Sequence, residues 1–293
     1  MKLQKRVWMA SLGLLLAASL SVQSQEPPQP SQEPKAPEQA AVEAEQRQEL
    51  QAILGTTNPE EQAARIEKFL QNYPENPQVW RLCQMASQAF RQLNNYEKAV
   101  EYGERAIALK PQDPIAHILV ADSLVAEGSS PNPNQPDYEK LARAEKYARK
   151  ALELLPAYFA AWKPSPSLTL EEVEVRKKLT EAEPHATLGY IHLMRRQNAL
   201  AEVELLRATE LAQSQPKASD FLRLGLAYYF QKKYERAVAA FRKTVAMGGP
   251  LFETAQFYLE VAEKDLAKNQ SAAPAPAKSE PPTPKPPEPP TQP

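Results

Sequence analysis

A single cysteine, Cys83, stands in the 293 residues of this chain, so no internal disulfide can form and the fold must be held by its core. Cys83 falls in an apolar helical pattern, the setting of a buried, inert thiol. Glycine is also scarce, 8 residues against 29 prolines, and the few present spell no motif of nucleotide or nucleophile chemistry. No G-x-x-x-x-G-K-[ST] loop, no G-x-S-x-G elbow and no H-E-x-x-H pair occurs. Of the three histidines, His117, His185 and His192, the latter two can share a helix face but lack the carboxylate or third ligand that a zinc site requires. Glu171 and Glu172 belong to the first turn of a helix, where the dipole favours acids, and are solvated. No catalytic residue, metal site or cofactor is therefore expected, and the chain is not expected to be an enzyme. The net charge is −1 and no basic stripe occurs, which excludes nucleic acid as a partner.

What is present divides by composition. Residues 1–24, MKLQKRVWMASLGLLLAASLSVQS, have the basic start, apolar run and small-residue end of a secretory signal, with a cut expected after Ser24. The apolar run, Val7 to Leu20, is shorter than the roughly 20 residues that span a bilayer. Any membrane contact would come only through an uncleaved leader, and with no cysteine after the run no lipid anchor is expected. The chain is expected to be exported, to a periplasm or beyond the cell. Residues 25–37 form a Pro/Gln-rich linker, and residues 269–293, NQSAAPAPAKSEPPTPKPPEPPTQP, a Pro-rich tail unable to bury a core. The tail is either a solvated spacer or a ligand for an aromatic-lined groove, since PPTPKPPEPP offers several PxxP spacings.

Between them, residues 38–268 read as helix throughout: apolar residues recur at three and four, and no stretch sustains strand alternation. Gly225 stands inside one such helix, where it costs about 1 kcal/mol relative to Ala, so something must require it to be small. The same punctuation recurs. Ala99, Ala144, Ala201 and Ala237 each stand early in a second helix, and Ala106, Ala151, Ala208 and Thr244 follow seven residues later on the same face. In the preceding helices the small site holds Ser87, Ala121, Gly189 and Gly225, followed three residues on by Phe90, Leu124, His192 and Tyr228.

This pattern resembles the tetratricopeptide repeat, a helix-turn-helix unit of about 34 residues with positions near L-G-x2-Y, A-x3-F-x2-A and P. Leu224, Gly225, Tyr228, Ala237 and Phe241 carry the fullest match, and Pro111 and Pro156 match the closing proline. The resemblance implies an all-α solenoid of about five stacked antiparallel helix pairs, a right-handed superhelix in which the small sites let paired helices close and Gly225 faces a neighbouring helix. Clear units are 80–111, 114–156 with an inserted loop at 129–139, 182–213 and 218–249, with a degenerate pair ahead and a closing helix at 251–267. The spacing between second-helix alanines, 45, 57 and 36 residues, departs from the family's. Around residues 160–183 a helix begun near Tyr158 is expected to stop at Pro164 and Pro166, Thr169 or Ser167 to cap another, and Pro184 to kink or restart the chain. Gly103 and Ala148 replace the family's larger second-helix residue. The Pro-rich tail adds a similarity to exported repeat proteins of Gram-negative bacteria.

The resemblance also implies the site. The family's inner positions fall on Arg81, Gln84, Gln88, Arg91 and Gln92, then Ile115, Ile118 and Val125, then Tyr190, Leu193 and Met194, then Leu222, Leu226, Tyr229 and Phe230. They describe a groove, polar and basic at one end and apolar and aromatic at the other, suited to a peptide or protein segment of unspecified identity. Alternatively the closing helix or the 160–183 insertion covers these side chains. The Lys and Asn set with which some family members grip a terminal carboxylate is missing. The expected function is an exported protein-binding scaffold or assembly factor. The alternatives are repeat-mediated self-association and an accessory role beside an envelope enzyme.

Overall fold

The structure, a computed structural model, describes residues 37–129 and 136–272. The leader, the linker up to residue 36, the heart of the 129–139 loop and the tail beyond 272 lie outside the described residues. Eleven α-helices occur among the described residues: α1 Pro37–Gly55, α2 Pro59–Asn72, α3 Val79–Gln92, α4 Tyr96–Leu109, α5 Pro114–Ser129, α6 Tyr138–Ala161, α7 Leu170–Met194, α8 Asn198–Leu211, α9 Ala218–Phe230, α10 Tyr234–Met247 and α11 Phe252–Ala272. They stack as antiparallel pairs. Each second helix packs on its own first helix and on the first helix of the next pair, and α3, α5, α7 and α9 contact one another in sequence, forming one face.

Local chemistry sets the helix boundaries. Asn58 and Asn95 cap α2 and α4 by accepting from the backbone N–H of Glu61 at 3.0 Å and Lys98 at 3.2 Å, and Asp137 caps α6 from Glu139 and Lys140. Such caps satisfy N–H groups that the first helical turn leaves unpaired. Three of the turns within pairs are built alike. Asn94, Arg196 and Lys232 hold positive φ of 58°, 59° and 61°, and the following residue donates back to the carbonyl of Phe90, His192 or Tyr228 at 2.9, 2.8 and 3.0 Å. This is the Schellman arrangement, which turns the chain sharply enough for the second helix to lie against the first.

The small sites are all buried. A Cβ added at Gly225 would stand 2.5 Å from Phe241 Cε1 of α10, and one at Gly189 2.5 Å from Leu205 Cγ of α8. Both glycines are therefore required by the ring or branched chain of the partner helix. Gly103, where the family carries a larger residue, meets Val120 of α5 and the Ser87 hydroxyl, so its loss of bulk lets α4 close on the next pair. Ser87, Ala99, Ala121, Ala144, Ala148, Ala151, Ala201, Ala208, Ala237 and Phe241 are fully buried, with Ala106 and Tyr228 nearly so.

The 160–183 region differs from expectation. No helix begins near Tyr158: α6 runs unbroken through Pro156 to Ala161. Nor does the chain restart at Pro184, since α7 runs 25 residues with that proline inside it. Each proline removes one backbone hydrogen bond. The helices persist because the turns around each proline are packed: Leu154 and Leu155 are buried on α6, and Leu179 and Ala182 pack with Leu211 and Ala212 of α8. Thr169 caps α7 in a reciprocal box with Glu172, whose carboxyl the Thr169 backbone N–H and hydroxyl hold below its usual range. The closing helix is also longer than expected, with residues 269–272 helical rather than part of the tail.

Candidate peptide-binding surface

The face made by α3, α5, α7 and α9 carries the residues expected to line the groove, and the structure sorts them. Ile115 is 3% and Ile118 1% exposed. They pack with Leu119, Ala151 and Tyr158, so the turns of α6 beyond Pro156 cover the second unit's inner face, and these two residues are core rather than groove. Val125 and Leu222 are likewise buried, as is Gln84. Arg81, Gln88 and Arg91 are half-buried on α3, and Tyr190, Leu193, Met194, Leu226 and Tyr229 are half-buried on α7 and α9. Phe230 is 56% exposed.

The closing helix reaches one edge of this strip. The Tyr229 hydroxyl donates to Asp265 of α11 at 2.8 Å. That hydrogen bond, with some burial, pushes the phenol up to about 12 and draws the Asp265 carboxyl down. Tyr229 is thus anchored and its ring packs edge-on against Phe230 and Tyr234, with centroids 5.8 Å apart in each case. What remains is a half-open apolar run through Leu193, Met194 and Leu226 to the exposed Phe230.

Sequence reasoning missed the charged thread that crosses the same face. Arg91 on α3 lies 3.7 Å from Asp122 on α5, which accepts from the Thr187 hydroxyl of α7 at 2.5 Å. Lys217, ahead of α9, pairs with Glu183 of α7. Asp220 lies 3.7 Å from Arg223, whose guanidinium stands over the Tyr190 ring at 4.1 Å. Burial pushes the carboxyls of Asp122 and Asp220 above their usual range, against the pull of neighbouring cations. Four successive first helices are linked in this way. Asp122 occupies the register of Gln88, Tyr190 and Leu226, and Glu183 that of Arg81 and Ile115, so extending the register reading to acids would have found both. Lys217 and Thr187 lie off the register and carried no signal.

At the polar end, Arg81 Nε and Gln84 Nε2 are buried, one helical turn apart, and have no hydrogen-bond partner. Burial draws the Arg81 guanidinium below its usual range, against the opposing charge of Asp113, and pushes the Tyr158 phenol up to about 12. The histidines are held by structural partners: His117 Nδ1 by the Asp113 carbonyl at 2.9 Å, His185 by Glu204 at 2.6 Å and His192 by Gln197 at 2.8 Å. Among the described residues no three His, Cys, Asp or Glu side chains gather as metal ligands, and no helix is long and apolar enough to cross a membrane. The surface offers shape, apolar area and fixed charge.

The family model described as tetratricopeptide repeat matches residues 81–113 and 221–247, the helix pairs α3/α4 and α9/α10. Two helix pairs of this chain thus match the tetratricopeptide repeat. Both carry a small first-helix residue twelve positions ahead of a second-helix alanine, Ser87 with Ala99 and Gly225 with Ala237, as do Gly189 and Ala201 of α7 and α8. Among solved structures, the chain is similar to a thermophilic tetratricopeptide-repeat protein of Thermus thermophilus, at 17% identity and a TM-score of 0.43, over 76% of this chain and 98% of that one. It is also similar to a repeat protein of Parabacteroides merdae, at 12% identity and a TM-score of 0.27, over 76% and 98% of the two chains. A third similarity is to the APC/C hetero-tetramer Cut9–Hcn1, at 14% identity and a TM-score of 0.34, over 81% of this chain and 50% of that one. Among curated proteins none matches.

Proposed function

We propose that this chain is an exported, non-enzymatic scaffold or assembly factor that holds a peptide or protein segment along the strip formed by its first helices. One observation carries the reading. Phe230 is exposed and Leu193, Met194 and Leu226 are half-buried on adjacent repeats, beside a fixed Arg91–Asp122–Thr187 and Asp220–Arg223–Tyr190 thread. Apolar burial would supply affinity at about 25 cal/mol per Å² before ordering costs, and the charged thread would select partners and orientation. Export rests on residues 1–24, whose basic, apolar and small-residue segments are those of a secretory signal.

Phe230→Asp tests the binding surface without touching the core, because the side chain is exposed. The variant should keep its melting temperature and lose capture of envelope proteins that the native chain retains, by tenfold or more, the scale of about 1.4 kcal/mol. Unchanged capture would remove the strip from the binding surface. Light scattering on the same two samples separates the self-association reading, which requires an oligomer that Phe230→Asp dissolves. Export is checked by N-terminal sequencing of the protein recovered from the envelope fraction, with Gln25 expected as the first residue.

A further inference from the structure

A second concave surface lies on the opposite side of the repeats. Between the second helices α8 and α10 runs a groove of about 660 Å³. Its floor includes Phe221, Leu224 and Tyr228 of α9, and its α10 wall is cut low by Ala239, Ala240 and Ala246. Lys243 stands over the Phe221 ring at 4.9 Å and Arg236 over the Tyr228 ring at 5.8 Å. Phe221 is half-buried and Tyr228 only 6% exposed, so the groove offers one partly open aromatic face with cations beside it, a partner for the rigid apolar ridges of a polyproline II segment, which cost little entropy to fix.

The chain supplies such a segment close by. The α11 helix lies antiparallel to α10, with Phe241 stacked on Tyr258 and Arg242 bonded to Glu263 at 2.6 Å. Its Asp265 meets Tyr229 beside the α9–α10 turn. Residues 273–293 follow Ala272, which lies about 10 Å of helix beyond Asp265 at 1.5 Å per residue, toward the end of the groove where Tyr228 and Arg236 stand. In polyproline II form they reach about 65 Å at roughly 3.1 Å per residue, enough to round the start of α10 and run the length of its groove wall. The segment PPTPKPPEPP carries one charge of each sign, Lys285 and Glu288, and the groove offers Glu210 and Lys243 to meet them while Arg236 stays paired with Glu202 at 3.4 Å. We infer that residues 281–290 of the chain's own Pro-rich tail occupy the groove between α8 and α10, as an intramolecular ligand on the face opposite the peptide-binding strip.

The tether makes the contact testable in the full chain. Cys83 stays out of thiol chemistry, since it is fully buried and burial pushes its thiol up to about 11. Thr283→Cys keeps every proline, and Ala239→Cys places the second thiol at an exposed groove position. Gln256→Cys is the control, exposed on α11 about 24 Å from Ala272 by helical rise and outside the groove. Under mild oxidation the 239–283 pair should form an intrachain disulfide at least ~10-fold faster than the 256–283 pair, as expected when docking raises local concentration above that of a free tether. Replacing the prolines of 281–290 by Gly and Ser should abolish the difference. Equal rates for the two pairs in the native tail would overturn the inference, as would a disulfide formed between two chains, which would assign the groove to the tail of a second copy.

Discussion

Gly225 shows why one atom matters in this fold. A Cβ there would stand 2.5 Å from the Phe241 ring, which is packed on the other side by Tyr258 of α11 and has little room to yield. Gly225→Ala should therefore lower stability by about 1–3 kcal/mol, as overpacking does, despite its better helix propensity. Gly55→Ala is the control, because nothing lies within 4 Å of the added Cβ. That change should be neutral or stabilise by up to about 1 kcal/mol. Chemical denaturation of the two variants checks both signs. Asp122 is the second residue with a measurable signature. Burial raises its pKa in the folded chain, so the folded state holds the proton more tightly than the unfolded state and gains stability as pH falls from neutrality toward the ordinary carboxylate range. Melting curves of the native chain and Asp122→Asn at about pH 7 and about pH 4.5 should show the difference moving in favour of the native chain at the lower pH. Movement the other way would mean that pairing with Arg91, not burial, dominates that carboxyl.

At the level of helices, the pairing and its small sites were legible in the sequence because they rest on short-range rules: a recurring small residue, a large one a turn away, and an alanine early in the next helix. The α6–α7 hairpin was not legible. Pro156 read as the close of a unit, Pro164 and Pro166 as a stop and Pro184 as a kink or restart, but the structure turns only around Pro164 and Pro166 and carries α6 and α7 through the other two. What overrides the local penalty is burial against α5 and α8, which proline chemistry alone does not reveal. The same extension buries Ile115 and Ile118, so both of these misplaced groove residues trace to this one feature. The Schellman turns also went unread, because Asn94, Arg196 and Lys232 are not the glycine that usually marks a left-handed residue. Arg196→Gly should therefore stabilise the turn between α7 and α8 by about 0.5–1 kcal/mol, the left-handed penalty less the added freedom of the unfolded chain, seen as a higher melting temperature.

For the whole molecule, the stack has two faces with different chemistry. First helices present a half-open strip of Leu193, Met194, Leu226 and Phe230 beside a charged thread that joins four repeats. Second helices present the groove between α8 and α10. Each repeat leaves apolar surface that only its neighbours can cover, and α11 covers the last one through Ala255, Ala262 and Tyr258. A photoreactive phenylalanine analogue placed at Phe230 in living cells tests the binding strip most directly, with the same analogue at Lys146, an exposed position on a second helix, for comparison. Adducts to other proteins that form from position 230 and not from position 146 are the predicted result, and equal labelling from both positions, or labelling from 146 alone, would contradict it.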